Sequence, residues 1–149
     1  MVIKRKMLRS KKSDIPKFRK KELIRSVFIK SIKAYEDAEI CFDEGRFGAA
    51  ISRAYFSVFH ALRAILLMHD LSYLKRSSLI SAFSKYFIKE NIFPADFVIK
   101  AKKLWKFRKI ADYDPNQYAG EQDAEVSIND AKEITWAIQT FLFKKHWWA

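Results

Sequence analysis

A chain of 149 residues, half of them apolar and 15% aromatic, holds enough material for one buried core and too many large side chains for a disordered segment. Three Gly and three Pro are too few for a β-sandwich or barrel, which needs a turn about every 8–12 residues. The single cysteine, Cys41, excludes an internal disulfide and reads as a small buried side chain. The net charge of +12 is uneven: residues 1–33 carry 13 Lys/Arg against Asp14 and Glu22, and the remainder carries 16 basic against 15 acidic residues.

Residues 1–20 read as a basic, flexible N-terminal arm interrupted by Pro16, ahead of a single domain over 21–149. Such an arm either meets phosphate backbones or is solvated, solubilising charge, and sign alone does not separate the two. From about Lys21, Ile24, Phe28, Ile32, Tyr35, Ala38 and Phe42 recur at three- and four-residue steps and predict a first helix ending at Gly45. Its far end carries Glu36, Asp37, Glu39, Asp43 and Glu44, which oppose the helix dipole and call for basic neighbours.

A second helix is expected from about Arg46 to His69. Its large apolar face includes Ile51, Tyr55, Val58, Phe59, Leu62 and Ile65, and the opposite stripe holds Ala50, Arg53, Ser57, His60, Ala61 and Ala64. Small residues there imply the close approach of another helix, with Arg53 and His60 at a seam. Ala50, Ser57, Ala61 and Ala64 are the expected contact of a homodimer. A third helix follows over about Ser77 to Lys89, and Pro94 should open a fourth that runs to about Tyr113. Pro115 closes that segment, and a fifth helix follows with Asp123 as its cap. The fold expected is all-α, an up-and-down antiparallel bundle of four to five helices. No signal peptide is expected, nor an apolar run able to span a bilayer, since Ala54 to Met68 is interrupted by His60 and Arg63. The expected address is the cytoplasm, with no membrane partner.

On the fourth helix the apolar stripe Phe97, Ala101, Leu104 and Trp105 continues into Arg108, with Asp112 about 40° away, while Lys102, Lys106 and Lys109 take the solvated side. Arg108 is therefore expected to be shielded from bulk water and in need of an acceptor, which Asp112 at i+4 can supply. By residues alone a structural ion pair is the favoured reading, and a phosphate site shared with Arg53 and His60 is the alternative. The spacings of a zinc site, a phosphate-binding Gly loop and a nucleophile elbow are missing, so no metal and no cofactor is expected. Trp147 and Trp148 are expected to pack back over the fifth helix.

Two motifs together resemble the HEPN family. Ala49-Ala50-Ile51-Ser52-Arg53-Ala54-Tyr55-Phe56-Ser57-Val58-Phe59-His60-Ala61 is similar to its Ser-Arg-Ala-Tyr-aromatic and Phe-His-Ala helix, and Arg108-Lys109-Ile110-Ala111-Asp112-Tyr113 resembles its Arg-x-x-Ala-Asp-Tyr signature. The resemblance covers roughly residues 25–145. It implies a dimerising bundle with the motif Arg facing a cleft between protomers, and partnership with a minimal nucleotidyltransferase as a toxin–antitoxin pair. Arg53, His60, Arg108, Asp112 and Tyr113 then become the nucleotide- or RNA-phosphate-binding set, with His60 and Arg108 as the catalytic candidates. In the family's metal-independent ribonucleases a His moves a proton while Arg stabilises phosphoryl charge. Here Tyr113 stands at that His position, and a phenol with a pKa of about 10 is a poor proton shuttle at neutral pH. The leading expectation is thus a toxin-type or accessory HEPN protein that binds nucleotide or RNA phosphate. The alternatives are an endoribonuclease using His60 with Arg108, and an adaptor that binds nucleic acid through its basic arm.

Overall fold

The computed structural model describes residues 16–148, and the greater part of the basic arm lies outside them. Five helices follow in order: α1 Lys17–Asp43, α2 Phe47–Leu66, α3 Arg76–Phe83, α4 Asp96–Tyr113 and α5 Glu121–Lys144. No strand occurs among the described residues, and the all-α expectation holds. α2 lies at the centre and packs against α1, α4 and α5.

The helix stops explain why so few glycines suffice. After α1, Gly45 at φ 76° lets Arg46 N–H reach Cys41 O at 2.8 Å and Gly45 N–H reach Phe42 O at 2.9 Å. This paired bond closes the last turn of a helix on a left-handed residue. The same pattern recurs at Asp70, Asn91 and His146, all at positive φ: Leu71 N–H donates to Leu66 O, Ile92 N–H to Phe87 O and Trp147 N–H to Leu142 O. Three of these four stops are therefore built without glycine.

Several boundaries differ from expectation. α1 begins at Lys17, directly after Pro16, four residues earlier than the apolar period indicated. Pro94 precedes α4 instead of opening it, and its carbonyl accepts from Phe97 N–H at 3.1 Å. Asp123 is not the cap of α5: Gly120 is, and Asp123 reaches back to accept from Gly120 N–H at 3.3 Å. The third helix widens after Phe83 into a π turn over Ser84–Ile88, closed by Lys89 N–H to Ser84 O. The extra residue seats Phe87 fully in the core, in mutual contact with Phe83 and Phe93.

Two larger corrections concern α2. Ala50, Ser57, Ala61 and Ala64 are fully buried within the chain, and Ser31 on α1 donates to Ser57 O at 2.6 Å. The close helix approach is real, but the neighbour is α1, so this stripe cannot be a dimer surface. The span Phe47–His69 is by length and composition apolar enough to cross a membrane, contrary to expectation. Burial on several sides as the bundle's central helix accounts for that composition equally well. Cys41 is only half-buried, and Trp147 and Trp148 fold back on α1 as well as α5.

Candidate functional site

The flank of α2 between α1 and α4 carries Ser52, Arg53, Phe56 and His60 at one-, three- and four-residue steps. α4 meets it with Trp105, Arg108, Asp112 and Tyr113. The two helices approach closely where Gly48 faces Ala111, and one turn further Ser52 Oγ donates to Asp112 Oδ2 at 3.1 Å. That bond ties α4 to α2 one turn from Arg108.

Arg108 lies among aromatics. Its guanidinium carbon is 4.9 Å from the ring centre of Phe56, 5.3 Å from those of Tyr55 and Trp105, and 5.5 Å from that of Tyr113. Its side chain is 16% exposed, which agrees with the shielding its stripe position implied. Nε sits 3.2 Å from Asp112 Oδ2, the pair expected at i+4, yet off the line of an aligned hydrogen bond. One terminal nitrogen donates to Tyr113 Oη at 3.3 Å. A guanidinium carries five N–H donors, so two such contacts leave capacity unused.

Arg53 repeats this arrangement from α2. Its guanidinium carbon lies 5.7 Å from the Phe56 ring, its Nε is buried without a hydrogen-bond partner, and Asp37 on α1 stands 3.9 Å away. Two arginines from different helices thus share one phenyl ring, each with an unsatisfied Nε. Ring faces attract such cations while offering them no hydrogen bond, so both guanidiniums are held in place with donors to spare.

His60 also stacks near Phe56, with ring centres 6.2 Å apart, but its chemistry is separate. Arg63 Nη1 lies 3.1 Å from His60 Nδ1, and since an arginine only donates, the imidazole proton belongs on Nε2. Burial, with Arg63, Lys30 and Arg53 nearby, pushes the His60 pKa down to about 4, so the ring is neutral at physiological pH. Among the described residues no hydrogen bond joins His60 to Arg108. The structure therefore gathers Arg53, Arg108, Asp112 and Tyr113 around Phe56 and leaves His60 at the edge, tied to Arg63. Tyr113 is 67% exposed.

Sequence reasoning missed Ser52, Phe56 and Trp105 as members of this site. The signal was present in the spacing, since Ser52, Phe56 and His60 form one stripe and Trp105, Arg108 and Asp112 another. Reading the stripes as facing each other required the helix pairing. No group of three or more His, Cys, Asp or Glu able to hold a metal occurs among the described residues.

The HEPN domain profile matches residues 24–140. This chain belongs to the HEPN family. A Methanocaldococcus jannaschii protein described as a candidate toxin is 25% identical over 132 residues, spanning 89% of this chain and 90% of that protein. A second candidate toxin of the same organism is 30% identical over 95 residues, 64% of this chain and 70% of its own length. A Thermus thermophilus protein of known crystal structure superimposes with a TM-score of 0.66 at 18% identity, covering 78% of this chain and 96% of that one, a likeness of fold. The profile match places both motifs, Arg53 to His60 and Arg108 to Tyr113, inside the HEPN domain.

Proposed function

We propose that this HEPN protein is of the toxin type and binds the phosphate of a nucleotide or RNA between Arg53 and Arg108, acting with a minimal nucleotidyltransferase as its partner. The observation that carries the reading is the pair of guanidiniums stacked on Phe56, each with a buried Nε lacking a hydrogen bond. A phosphate oxygen inserted there meets preset donors, and two arginines acting together suit a dianion. Asp112 serves as the placeholder that balances Arg108 when no ligand is bound. The description of two relatives as candidate toxins supports the physiological role.

A dimer remains part of the proposal, with the contact moved to the open end of α4. Tyr113, which touches Arg108 there, is 67% exposed, and Tyr118 in the loop that follows is 87% exposed. The ribonuclease alternative gains little from His60, whose Nδ1 is occupied and whose low pKa makes it a weak base.

The test compares wild type with Arg53→Ala and Arg108→Ala for binding of AMP and of a 12-mer single-stranded RNA, by fluorescence anisotropy and calorimetry. Each variant is expected to lose at least tenfold in affinity while keeping its helical spectrum. Unchanged binding in both variants sinks the reading. A small nucleotidyltransferase that co-purifies with wild type and relieves its growth inhibition supports the partnership.

A further inference from the structure

Lys100, Lys102 and Lys103 on α4 divide into two sets. Lys100 and Lys103 face α5, where Lys100 pairs with Glu133 and Asp96, and Lys103 pairs with Asp130. On the other side, α4 and α3 with its π turn enclose a groove of about 510 Å³ whose cations are Arg76, Lys85, Lys89 and Lys102. Among the described residues none of these four has a carboxylate within 4.0 Å. None of the described acids lines the groove, and Ser77, Ser81 and Ser84 add hydroxyl groups along its wall. Lys102 is exposed, as expected, and has no carboxylate partner among the described residues. It belongs to a strip of uncompensated positive charge in a concave surface.

The strip leads to the motif site. The Arg76 guanidinium carbon lies 4.5 Å from the Trp105 ring centre, and the Arg108 guanidinium carbon lies 5.3 Å from the same ring. Both cations also draw the Tyr55 phenol pKa down against the larger upward push of its burial, so they share one neighbourhood. Trp105 therefore joins the α3/α4 groove to the Arg53–Arg108 pair.

We infer that the α3/α4 groove is a second phosphate-binding subsite, which takes the backbone phosphates flanking the nucleotide held at Arg108 and so makes the ligand a single-stranded polynucleotide. The inference rests on the reading of Arg108 as a phosphate ligand. Four spaced cations without acids match a chain of spaced negative charges better than one compact anion. Hydroxyl groups add neutral donors to phosphate oxygens, a mixture common where nucleic-acid backbones are gripped without regard to sequence.

The experiment measures binding of a 12-mer RNA and of AMP to the full chain and to the triple variant Lys85→Ala/Lys89→Ala/Lys102→Ala, over a salt series. A second triple variant, Lys33→Ala/Lys132→Ala/Lys144→Ala, removes equal charge from α1 and α5. The groove variant should bind the 12-mer at least tenfold more weakly and show a salt slope smaller by about 2, at about 0.7 per single-strand phosphate contact. Its AMP affinity, and the 12-mer affinity of the control variant, should stay within twofold of wild type. Equal losses in both triple variants, or none in the groove variant, overturn the groove while leaving Arg108 untouched. A groove loss with no effect of Arg108→Ala on AMP or RNA removes the Arg108 reading instead. If the groove variant loses only its binding to phosphatidylserine vesicles and keeps RNA, the groove takes a lipid surface and the inference fails.

Discussion

Two sides of α2 solve opposite problems with neighbouring residues. Toward α1, Ala50, Ser57, Ala61 and Ala64 are fully buried, and Ser57 Oγ is satisfied within its own helix by Ala54 O at 2.8 Å. Toward α4, Arg53 and Phe56 meet Arg108, and polar atoms are left without partners beneath a thin cover. Close packing leaves no room for an unmet donor, whereas the arginines keep theirs because aromatic faces hold a cation without consuming its N–H groups. One side is finished within the chain, and the other has capacity reserved for something else.

Substitution should separate the two sides sharply. Ala61→Arg buries a charge where there is no space and no partner, and should destabilise by more than about 4 kcal/mol or prevent folding. Urea unfolding checks this, and a folded, merely monomeric variant would contradict the burial of the stripe against α1. Arg108→Ala should cost far less, about 1–2 kcal/mol, because water already reaches Asp112 and Ser52 still donates to it. A loss of about 3–5 kcal/mol in urea unfolding would mark the pair as a closed structural ion pair.

A pH titration sharpens the contrast further. His60 is held neutral in the fold, with its pKa pushed from 6.5 to about 4, so between those values the unfolded chain binds a proton that the folded chain refuses. Stability should therefore be intact above pH 6.5 and fall as pH drops toward 4, and His60→Gln should flatten that fall. His69 is shifted the same way by burial and Lys20, so the flattening should be incomplete. Urea midpoints at about pH 7, 5.5 and 4.5 test the sign, and a midpoint that rises on acidification contradicts it. The smallest effect belongs to Ser52→Ala, which removes one water-accessible hydrogen bond and should cost about 0.5 kcal/mol. Its readout is ligand affinity, expected to fall several-fold if the register of α4 positions Arg108, and expected to stay unchanged if Arg108 is placed by its aromatic neighbours alone.

The helices themselves were legible because their apolar period is long and rarely interrupted. α2 could be placed to within a few residues, and the stop at Gly45 could be named outright. The helix ends before Asp70 and Asn91 were placed to within about two residues, but the left-handed residues that close them, and the one at His146, were not legible, since such a residue that is not glycine leaves little mark in composition. The stripe position of Arg108 correctly foretold shielding and the Asp112 contact. What the small residues of α2 packed against was not readable, because close approach by α1 and by a second protomer demand the same side chains. Phe56 was hidden for a related reason: as an aromatic in an apolar run it resembled core, and only the approach of Arg108 from α4, beside Arg53 of its own helix, gives it a role.

The turn at His146 has a consequence for the order in which the molecule comes apart. It directs Trp147 over Lys17 and Lys20, and Trp148 onto Phe28, while Lys20 is anchored to Asp70 at 2.9 Å. The contact spans nearly the whole described chain, so it closes the largest loop in the fold and gains its stability only after the intervening helices are in place. Such a contact should fasten late and release early. Amide exchange should accordingly begin at the first turns of α1 and the last turn of α5 together, as one cooperative unit, while the α2 amides wait for global unfolding.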